Sequence, residues 1–311
     1  MVKTKISRVL VLGSSGVVGH GVASDLVRHN YFVVGTSNKK KLSSSSKNFF
    51  NISNIDFNKK NFISKIDKLI KTHKLQAVIN CAALLPNKST SFYRLQMKRV
   101  NNQSVTKILN LSIKKNLFFF INIGGHSIQE KLKEKNLTEI QKCYFVSKDS
   151  IEKKILDKKS ITKIISLNII APYGHVLDET SVVTKFINQV KKGQNINIFS
   201  NGDRKQIFTF SEDVGAACRH IFKKKIAGAI SFAGPSVITT KTLAKTIISV
   251  FAKKKISIFF KKNIHDQDGI AVNNYLKEKK NKKLIFIKKH SLKKSLLKIL
   301  HQESLIKITK I

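Results

Sequence analysis

The chain has 311 residues, of which 59 are Lys or Arg and only 18 are Asp or Glu, so its formal net charge is +41. This length is sufficient for one large domain or for a domain with a smaller lobe. No stretch approaches the roughly 18 consecutive apolar residues of a membrane-spanning helix, so no transmembrane segment is predicted.

Strand-like and helix-like segments alternate along the chain. Short apolar runs predict strands over Val9–Leu12, Phe32–Gly35, Ala77–Asn80, Phe118–Ile123 and Ile164–Asn168. Helical spacing predicts helices over Val17–His29, Phe62–Thr72, Val100–Lys114 and Tyr144–Leu156. The alternation predicts an α/β fold with a doubly wound parallel sheet, whose ligand site lies at the carboxyl ends of the strands.

The turn after the first predicted strand is rich in glycine. Gly13 permits a tight turn, Gly16 lets the backbone approach a pyrophosphate, and Gly19 lets the following helix pack against the sheet. The helix start also offers N–H groups and a positive dipole to phosphates. Because the motif follows a strand and opens a helix, it predicts a dinucleotide site. The predicted cofactor-binding residues here are Gly13, Ser15, Gly16, Val17, Val18 and Gly19.

The second predicted strand ends in polar residues without a carboxylate. An NAD site places Asp or Glu here to bind the ribose 2′-hydroxyl, but this chain has Ser37, Asn38 and Lys39. Hydroxyl, amide and ammonium groups suit a 2′-phosphate, so we predict that NADP(H) is favoured over NAD(H). The alternative is that Lys39 and Lys40 belong to a general lysine coat.

These motifs and others that follow in order resemble the extended short-chain dehydrogenases/reductases of the NAD-dependent epimerase/dehydratase type. The further matching segments are Asp56-Phe57, Asn80-Cys81-Ala82-Ala83, Val100-Asn101, Tyr144-x-x-x-Lys148, Ala171-Pro172-Tyr173-Gly174, Asn201–Asp203, Phe208–Val214 and a final helix, Ser291–His301. The resemblance covers residues 6–300. It implies a Rossmann core in residues 1–165 and a smaller C-terminal substrate lobe, mainly in residues 166–311, with segments returning to the core.

The resemblance also implies roles for single residues. Tyr144 would carry the substrate proton during hydride transfer, and Lys148, on the same helix face, would hold the nicotinamide ribose. We expect the ammonium of Lys148 to lower the phenol pKa of Tyr144. Both residues would contact the cofactor, together with Asp56, Phe57, Cys81, Ala82, Ala83, Asn101 and Pro172. The implied substrate contacts are Leu84, His126, Ser127, Asn168 and Arg204.

The chain departs from the family pattern after the predicted strand Phe118–Ile123. Gly125 stands where the family has a Ser or Thr that donates a hydrogen bond to the substrate carbonyl. Loss of such a donor typically costs ~10²–10³ in rate. Either Ser127 or His126 supplies a replacement, with Ser127 as the third expected catalytic residue, or the enzyme is slow or inactive.

Two arginines of the family pattern are also replaced. Asn168 replaces an Arg before the Pro-Tyr-Gly turn, and Gln206 replaces the Arg that grips a nucleotide-sugar diphosphate. Arg204 lies close by and suits a phosphate. The family's dehydratases carry an Asp-Glu pair that this chain lacks, which leaves ketoreduction or epimerisation.

The resemblance thus implies an NAD(P)-dependent oxidoreductase or epimerase acting on a nucleotide-linked sugar, in polysaccharide biosynthesis. One alternative is a cofactor-binding pseudoenzyme with a regulatory or scaffolding role. Another is nonspecific RNA or membrane association through the lysine coat, which would weaken steeply with salt.

The remaining composition predicts the cellular setting. The basic residues are nearly all Lys, and the six Arg are too few to indicate specific nucleic-acid recognition. Cys81, Cys143 and Cys218 share no metal-ligand spacing, and the nine His are unpaired, so no metal is expected. The odd cysteine count and a start that leads directly into a strand predict a cytoplasmic protein without a signal peptide. A homodimer is left open.

Overall fold

The computed structural model describes residues 6–38, 47–52, 54–261, 272–273, 277, 285 and 287–308, with side chains as far as residue 302. The chain divides into two compact units. The first contains Met1–Ile169 and Ser211–Phe232, and the second contains Ile170–Phe210 and Ala233–Ile311. The segment 211–232 is therefore a return of the chain to the first unit.

The described residues form thirteen strands and ten α-helices. The strands are β1 (Arg8–Leu12), β2 (Phe32–Thr36), β3 (Phe49–Ile52), β4 (Ala77–Asn80), β5 (Phe119–Gly125), β6 (Lys163–Ile169), β7 (Pro172–Tyr173), β8 (Ile196–Ile198), β9 (Lys205–Ile207), β10 (Thr209–Phe210), β11 (Gly228–Phe232), β12 (Val237–Thr239) and β13 (Ile258–Phe260). The helices are α1 (Val17–Arg28), α2 (Phe62–Thr72), α3 (Ser91–Lys98), α4 (Val105–Lys114), α5 (Ile128–Lys131), α6 (Glu139–Leu156), α7 (Val182–Lys191), α8 (Ser211–Lys224), α9 (Thr240–Phe251) and α10 (Leu292–Ile308).

The first unit is built on a seven-stranded sheet with the order β11-β6-β5-β4-β1-β2-β3. Every neighbouring pair is parallel. The order reverses between β1 and β4, which is where doubly wound sheets open a crevice for ligands. The predicted α/β fold is therefore confirmed. The sequence pattern did not predict strands β3 and β11 of this sheet, because each is only partly buried and has a weak apolar pattern.

Two predicted helices differ from the observed ones. The predicted helix from Tyr144 begins at Glu139 instead, because Thr138 and Gln141 form a reciprocal capping box at its start. The predicted helix Val100–Lys114 is divided into a π-helical segment, Arg99–Ser104, and α4. Such π segments are rare and interrupt an otherwise continuous helix.

Helices α1 and α8 of the first unit pack closely through small residues. A Cβ on Gly21 would come within 2.2 Å of the Ser211 hydroxyl oxygen, so only glycine fits there. Two ion pairs join the same helices: Arg219 Nε donates to Asp25 at 2.7 Å, and Arg28 forms a bidentate pair with Glu212 at 2.9 Å. These contacts explain why the segment 211–232 belongs to the first unit.

The second unit has its own apolar core. Helices α7, α9 and α10 and the neighbouring strands supply the buried side chains, which include Tyr173, Phe186, Phe210, Ile247 and Leu296. Three short strand pairs complete the unit: β7 with β10, β8 with β13, and β9 with β12. None of the helices described in either unit is long and apolar enough to cross a membrane.

Candidate active site

The glycine turn connects β1 to α1 and leaves no room for a side chain at Gly13 or at Gly19. Gly13 has φ +74°, and a Cβ there would lie 2.8 Å from the Ala82 Cα atom. A Cβ on Gly19 would lie 2.2 Å from the Gly13 carbonyl oxygen. Gly16 caps α1 without a side-chain hydrogen bond, and the first turn of α1 has no acidic residue. The first turn of α1 is thus suited to an anion.

A cavity of about 200 Å³ lies beside this turn. It collects residues that follow the ends of parallel strands, which meet at one edge of the sheet. The sequence-predicted cofactor residues that line it are Gly13, Ser15, Gly16, Ser37, Asn38, Asp56, Phe57, Cys81, Ala82 and Ala83, and Leu84, predicted to contact substrate, joins them. The sequence prediction missed Thr36, Ile55, Asn58 and Val100, each of which lies next to or close to a predicted site residue.

Other predicted cofactor residues lie elsewhere. Val17, Val18 and Gly19 form the start of α1, and Lys39 lies outside the described residues. Asn101 is buried, and its amide accepts from the Leu84 N–H at 2.8 Å and donates to the Leu84 carbonyl at 2.9 Å. Asn101 therefore fixes the cavity wall, a role that its position in the sequence did not indicate.

The predicted Tyr–Lys pair lies on α6. Lys148 is buried, its Nζ donates to the Ile123 carbonyl of β5 at 3.4 Å, and it lies 5.9 Å from the centre of the Tyr144 ring. Burial lowers the pKa of Lys148 to about 8, and the nearby Cys81 thiol opposes that shift. Because Cys81 lines the cavity, Lys148 lies near the cavity wall.

The expected lowering of the Tyr144 pKa is wrong for the protein as described. Burial raises the pKa of the phenol to about 12. The physical reason is that removal from water penalises a phenolate more than an ammonium several ångströms away can compensate, especially when burial also disfavours the ammonium. The phenol of Tyr144 is therefore neutral at neutral pH.

The turn after β5 brings His126 and Ser127 together. His126 is buried, and the Ser127 Oγ lies 2.6 Å from the His126 Nδ1. Ser127 has φ +58°, a left-handed conformation that is unusual for serine. At Gly125, a Cβ would meet only the Ile128 side chain, with Cδ1 at 2.8 Å and Cγ1 at 3.4 Å. The space beside residue 125 is thus limited by a flexible side chain rather than by backbone.

The remaining predicted substrate residues are separated between the units. Asn168, in the first unit, donates to Glu152 at 2.7 Å and accepts from Ser166 at 3.1 Å. Pro172 and Arg204 belong to the second unit. Arg204 and Gln206 line a second cavity, of about 790 Å³, within that unit. In the part of the chain that the structure describes, no group of three or more His, Cys, Asp or Glu residues could hold a metal ion.

The model of the NAD dependent epimerase/dehydratase family matches residues 9–231, which is more than half of the chain. The chain belongs to this family. No curated protein sequence matches it. The glycine turn also fits the cofactor of the family, because Gly13 and Gly19 let β1, the turn and α1 approach one another more closely than any Cβ would allow.

Solved structures of family members share the fold. A UDP-glucose 4-epimerase from Thermotoga maritima, determined with UDP-glucose, has 20% sequence identity and a TM-score of 0.69, over 96% of this chain and 99% of that one. A UDP-N-acetylglucosamine 4-epimerase from Methanobrevibacter ruminantium has 18% identity and a TM-score of 0.73, over 97% and 100%. A UDP-glucose 4-epimerase from Thermus thermophilus, determined with NAD, has 16% identity and a TM-score of 0.70, over 95% and 99%. Identities this low establish the fold.

Proposed function

We propose that the protein is an NAD(P)-dependent epimerase or reductase that acts on a nucleotide-linked sugar. The observation that carries the proposal is the position of the Tyr144–Lys148 pair beside a glycine-lined cavity at the ends of parallel strands. The nucleotide sugars bound or acted on by the similar structures support the substrate class.

We further propose that NADP(H) is favoured over NAD(H). The residues that follow β2 in the cavity wall are Ser37 and Asn38, and neither is a carboxylate. The one carboxylate of the wall, Asp56, follows β3 and accepts hydrogen bonds from the backbone and side chain of Asn58. A ribose 2′-phosphate would therefore meet a hydroxyl and an amide where NAD sites carry a negative charge.

The residues of the chain suggest a mechanism. When bound, the nicotinamide supplies or accepts a hydride. Tyr144 is neutral at physiological pH, so its phenol can donate a proton to a carbonyl oxygen as that oxygen gains charge. Lys148 carries its proton below its pKa of about 8, and as an ammonium it stabilises the phenolate that remains. This chemistry suits ketoreduction and the reductive half of an epimerisation.

Ser127 is proposed to replace the missing hydroxyl donor of the family. Its Oγ is already oriented by the His126 Nδ1 at 2.6 Å. If the ring nitrogen accepts, the hydroxyl proton is committed to His126. If the other tautomer is present, the hydroxyl accepts from the imidazole and can donate its own proton to a substrate oxygen.

The second cavity is proposed to hold the nucleotide diphosphate. Its lining contains Lys185, Lys192 and Arg204 but one carboxylate, Glu179. Arg204 immediately precedes β9, and Gln206 lies within that strand. A guanidinium is therefore present two residues before position 206, where the family has its arginine. The volume of about 790 Å³ falls within the range of small-molecule sites.

A homodimer, a cytoplasmic location and a role in polysaccharide biosynthesis complete the proposal. The dimer is supported by exposed apolar side chains on two helices that pack together: Phe92 and Leu95 on α3 are 67% and 65% exposed, and Val146 on α6 is 49% exposed. Exposed apolar side chains on neighbouring helices are typical of an interface.

The alternative function is a cofactor-binding pseudoenzyme. One observation favours it: residue 125 has no hydroxyl, and the Ile128 Cδ1 atom lies 2.8 Å from the place of a Cβ there. Incubation with UDP-glucose or UDP-N-acetylglucosamine and each cofactor, followed by NMR of the sugar, separates the two functions. Turnover that is lost in Tyr144→Phe supports the enzyme, whereas cofactor binding with no turnover of any nucleotide sugar supports the pseudoenzyme.

A further inference from the structure

One region of the second unit combines a single sign of charge with exposed aromatic side chains. No Asp or Glu occurs between Asp213 and Asp266. Residues 233–261, which form α9, β13 and their connections, contain six lysines and no arginine. Lys241, Lys245 and Lys261 are exposed. The electrostatic partner of this region must therefore be anionic.

The strand β13 exposes apolar surface within this positive region. Phe259 is 51% exposed and Phe260 is 44% exposed, although they are neighbours on a strand and point to opposite faces of it. On one face a groove of about 400 Å³ runs between β13 and α9, with Ile248, Ile258 and Phe260 in its lining and Lys241 and Lys245 beside them. We call β13 with this groove the Phe–Lys edge. Exposed phenylalanine rings thus occur on both faces of β13.

The geometry favours a lipid surface over nucleic acid. The Lys241 Nζ lies 5.5 Å from the centre of the Phe260 ring, and the Phe260 Cε1 lies within 2.9 Å of the position that a Cβ on Gly202 would occupy. Both neighbours restrict access of a stacked base to this ring. The region also lacks arginine, which is the residue best suited to bidentate phosphate contacts. Lysine stems and phenylalanine rings, by contrast, suit the boundary between headgroups and acyl chains.

We propose that the Phe–Lys edge docks the protein onto an anionic lipid bilayer. Phe259 and Phe260 enter the interfacial layer, and the lysines of α9 and β13 contact the headgroups. The insertion of the phenylalanines and the attraction of the lysines to the headgroups are each weak alone. Together they give reversible, salt-sensitive peripheral binding. The proposal does not depend on the proposed enzymatic function, because neither phenylalanine lines the cofactor cavity or the second cavity.

The test is cosedimentation of the full chain with vesicles of phosphatidylcholine, with or without phosphatidylglycerol. We expect binding to the anionic vesicles only, and about a tenfold weaker partition for Phe259→Ser with Phe260→Ser. The matched control is Phe118→Ser, because Phe118 is 43% exposed in the first unit and should leave the partition unchanged. Phe259→Ser alone tests the same surface without altering the groove. Cofactor binding should be unchanged in every variant.

A second comparison separates a specific edge from a general lysine coat. Lys241→Gln with Lys245→Gln should weaken the partition about tenfold, and Lys60→Gln with Lys68→Gln, at exposed positions in the first unit, should have less than a twofold effect. Equal losses for the two pairs would overturn the proposal in favour of a general coat. Equal binding to neutral and anionic vesicles would also overturn it. A third contrary result would be that the protein binds single-stranded RNA in preference to vesicles and that the phenylalanine variants abolish this binding.

Discussion

The turns that follow β1 and β5 are both glycine-containing and end at the same edge of the sheet, yet their glycines are present for different reasons. At Gly13 and Gly19 the nearest atoms to an added Cβ belong to backbone, at 2.8 Å and 2.2 Å. At Gly125 the nearest atom is the end of the Ile128 side chain. The first turn must be glycine for the chain to fold as it does. At position 125 no neighbouring backbone atom excludes a larger residue. The fold therefore does not explain why this chain lacks the hydroxyl that the family pattern has there.

The largest expected effect tests this difference directly. Gly13→Ala forces a Cβ into the Ala82 backbone and places alanine at φ +74°, so we expect loss of measurable cofactor binding and a destabilisation of ~3 kcal/mol. Gly125→Ala requires only a rotamer change of Ile128 and should change stability by less than about 1 kcal/mol. Cofactor titration and thermal unfolding of the two variants measure both effects. Similar losses in the two variants would contradict the comparison.

The first turn and the fold could be predicted from the sequence because their causes are local. A strand, three glycines and a helix start are adjacent in the chain, and the wall residues at Ser37 and Cys81 directly follow predicted strands. Properties that depend on distant residues could not be predicted. The pKa of Tyr144 depends on burial by other elements, the role of Asn101 depends on its contact with Leu84, and Ser127 pairs with His126 only in a left-handed conformation.

Tyr144→Phe should show the next largest effect. Removal of the proton donor is expected to lower kcat by ~10²–10⁴ while the affinity for cofactor stays within a fewfold of wild type. Steady-state kinetics with a nucleotide sugar and a separate cofactor titration give the two values. Unchanged residual turnover would mean that Tyr144 carries no proton in the reaction.

Ser127→Ala tests the proposed replacement in the β5 turn. We expect a loss of ~10²–10³ in kcat, typical of one lost donor to a developing oxyanion. The decisive variant is Gly125→Ser added to Ser127→Ala, which should recover part of the rate, since only Ile128 must move to admit the new hydroxyl. If Ser127→Ala is fully active, the second turn supplies no donor from this residue.

Lys148→Met should stabilise the protein while it abolishes activity. The pKa of Lys148 is lowered to about 8, so the unfolded chain binds more protons than the folded protein between pH 8 and the ordinary lysine pKa of 10.5. Below pH 8 the buried ammonium therefore lowers the free energy of unfolding by ~3 kcal/mol. This destabilisation becomes smaller as the pH rises from about 8 to 10.5. Denaturant unfolding should show that Lys148→Met is more stable than wild type at pH 7, and that its advantage in free energy of unfolding is smaller at pH 10. A gain independent of pH would indicate packing instead of charge.

The smallest effect concerns assembly. Phe92→Ser with Leu95→Ser removes the two most exposed apolar side chains of α3 and should convert a homodimer into monomers with unchanged cofactor affinity. Light scattering after gel filtration measures the mass. A wild-type monomer would refute the dimer, and a dimeric variant would place its interface elsewhere.

The most direct test of the account is a fluorescence titration of the folded wild-type protein with NADPH and with NADH. We predict saturable binding of NADPH and weaker binding of NADH, which would support both the glycine cradle and the carboxylate-free wall at Ser37 and Asn38. Equal affinity, or tighter NADH binding, would contradict the NADP(H) preference and leave the cradle intact. Binding of neither cofactor to a folded sample would contradict the central claim that this turn holds a dinucleotide.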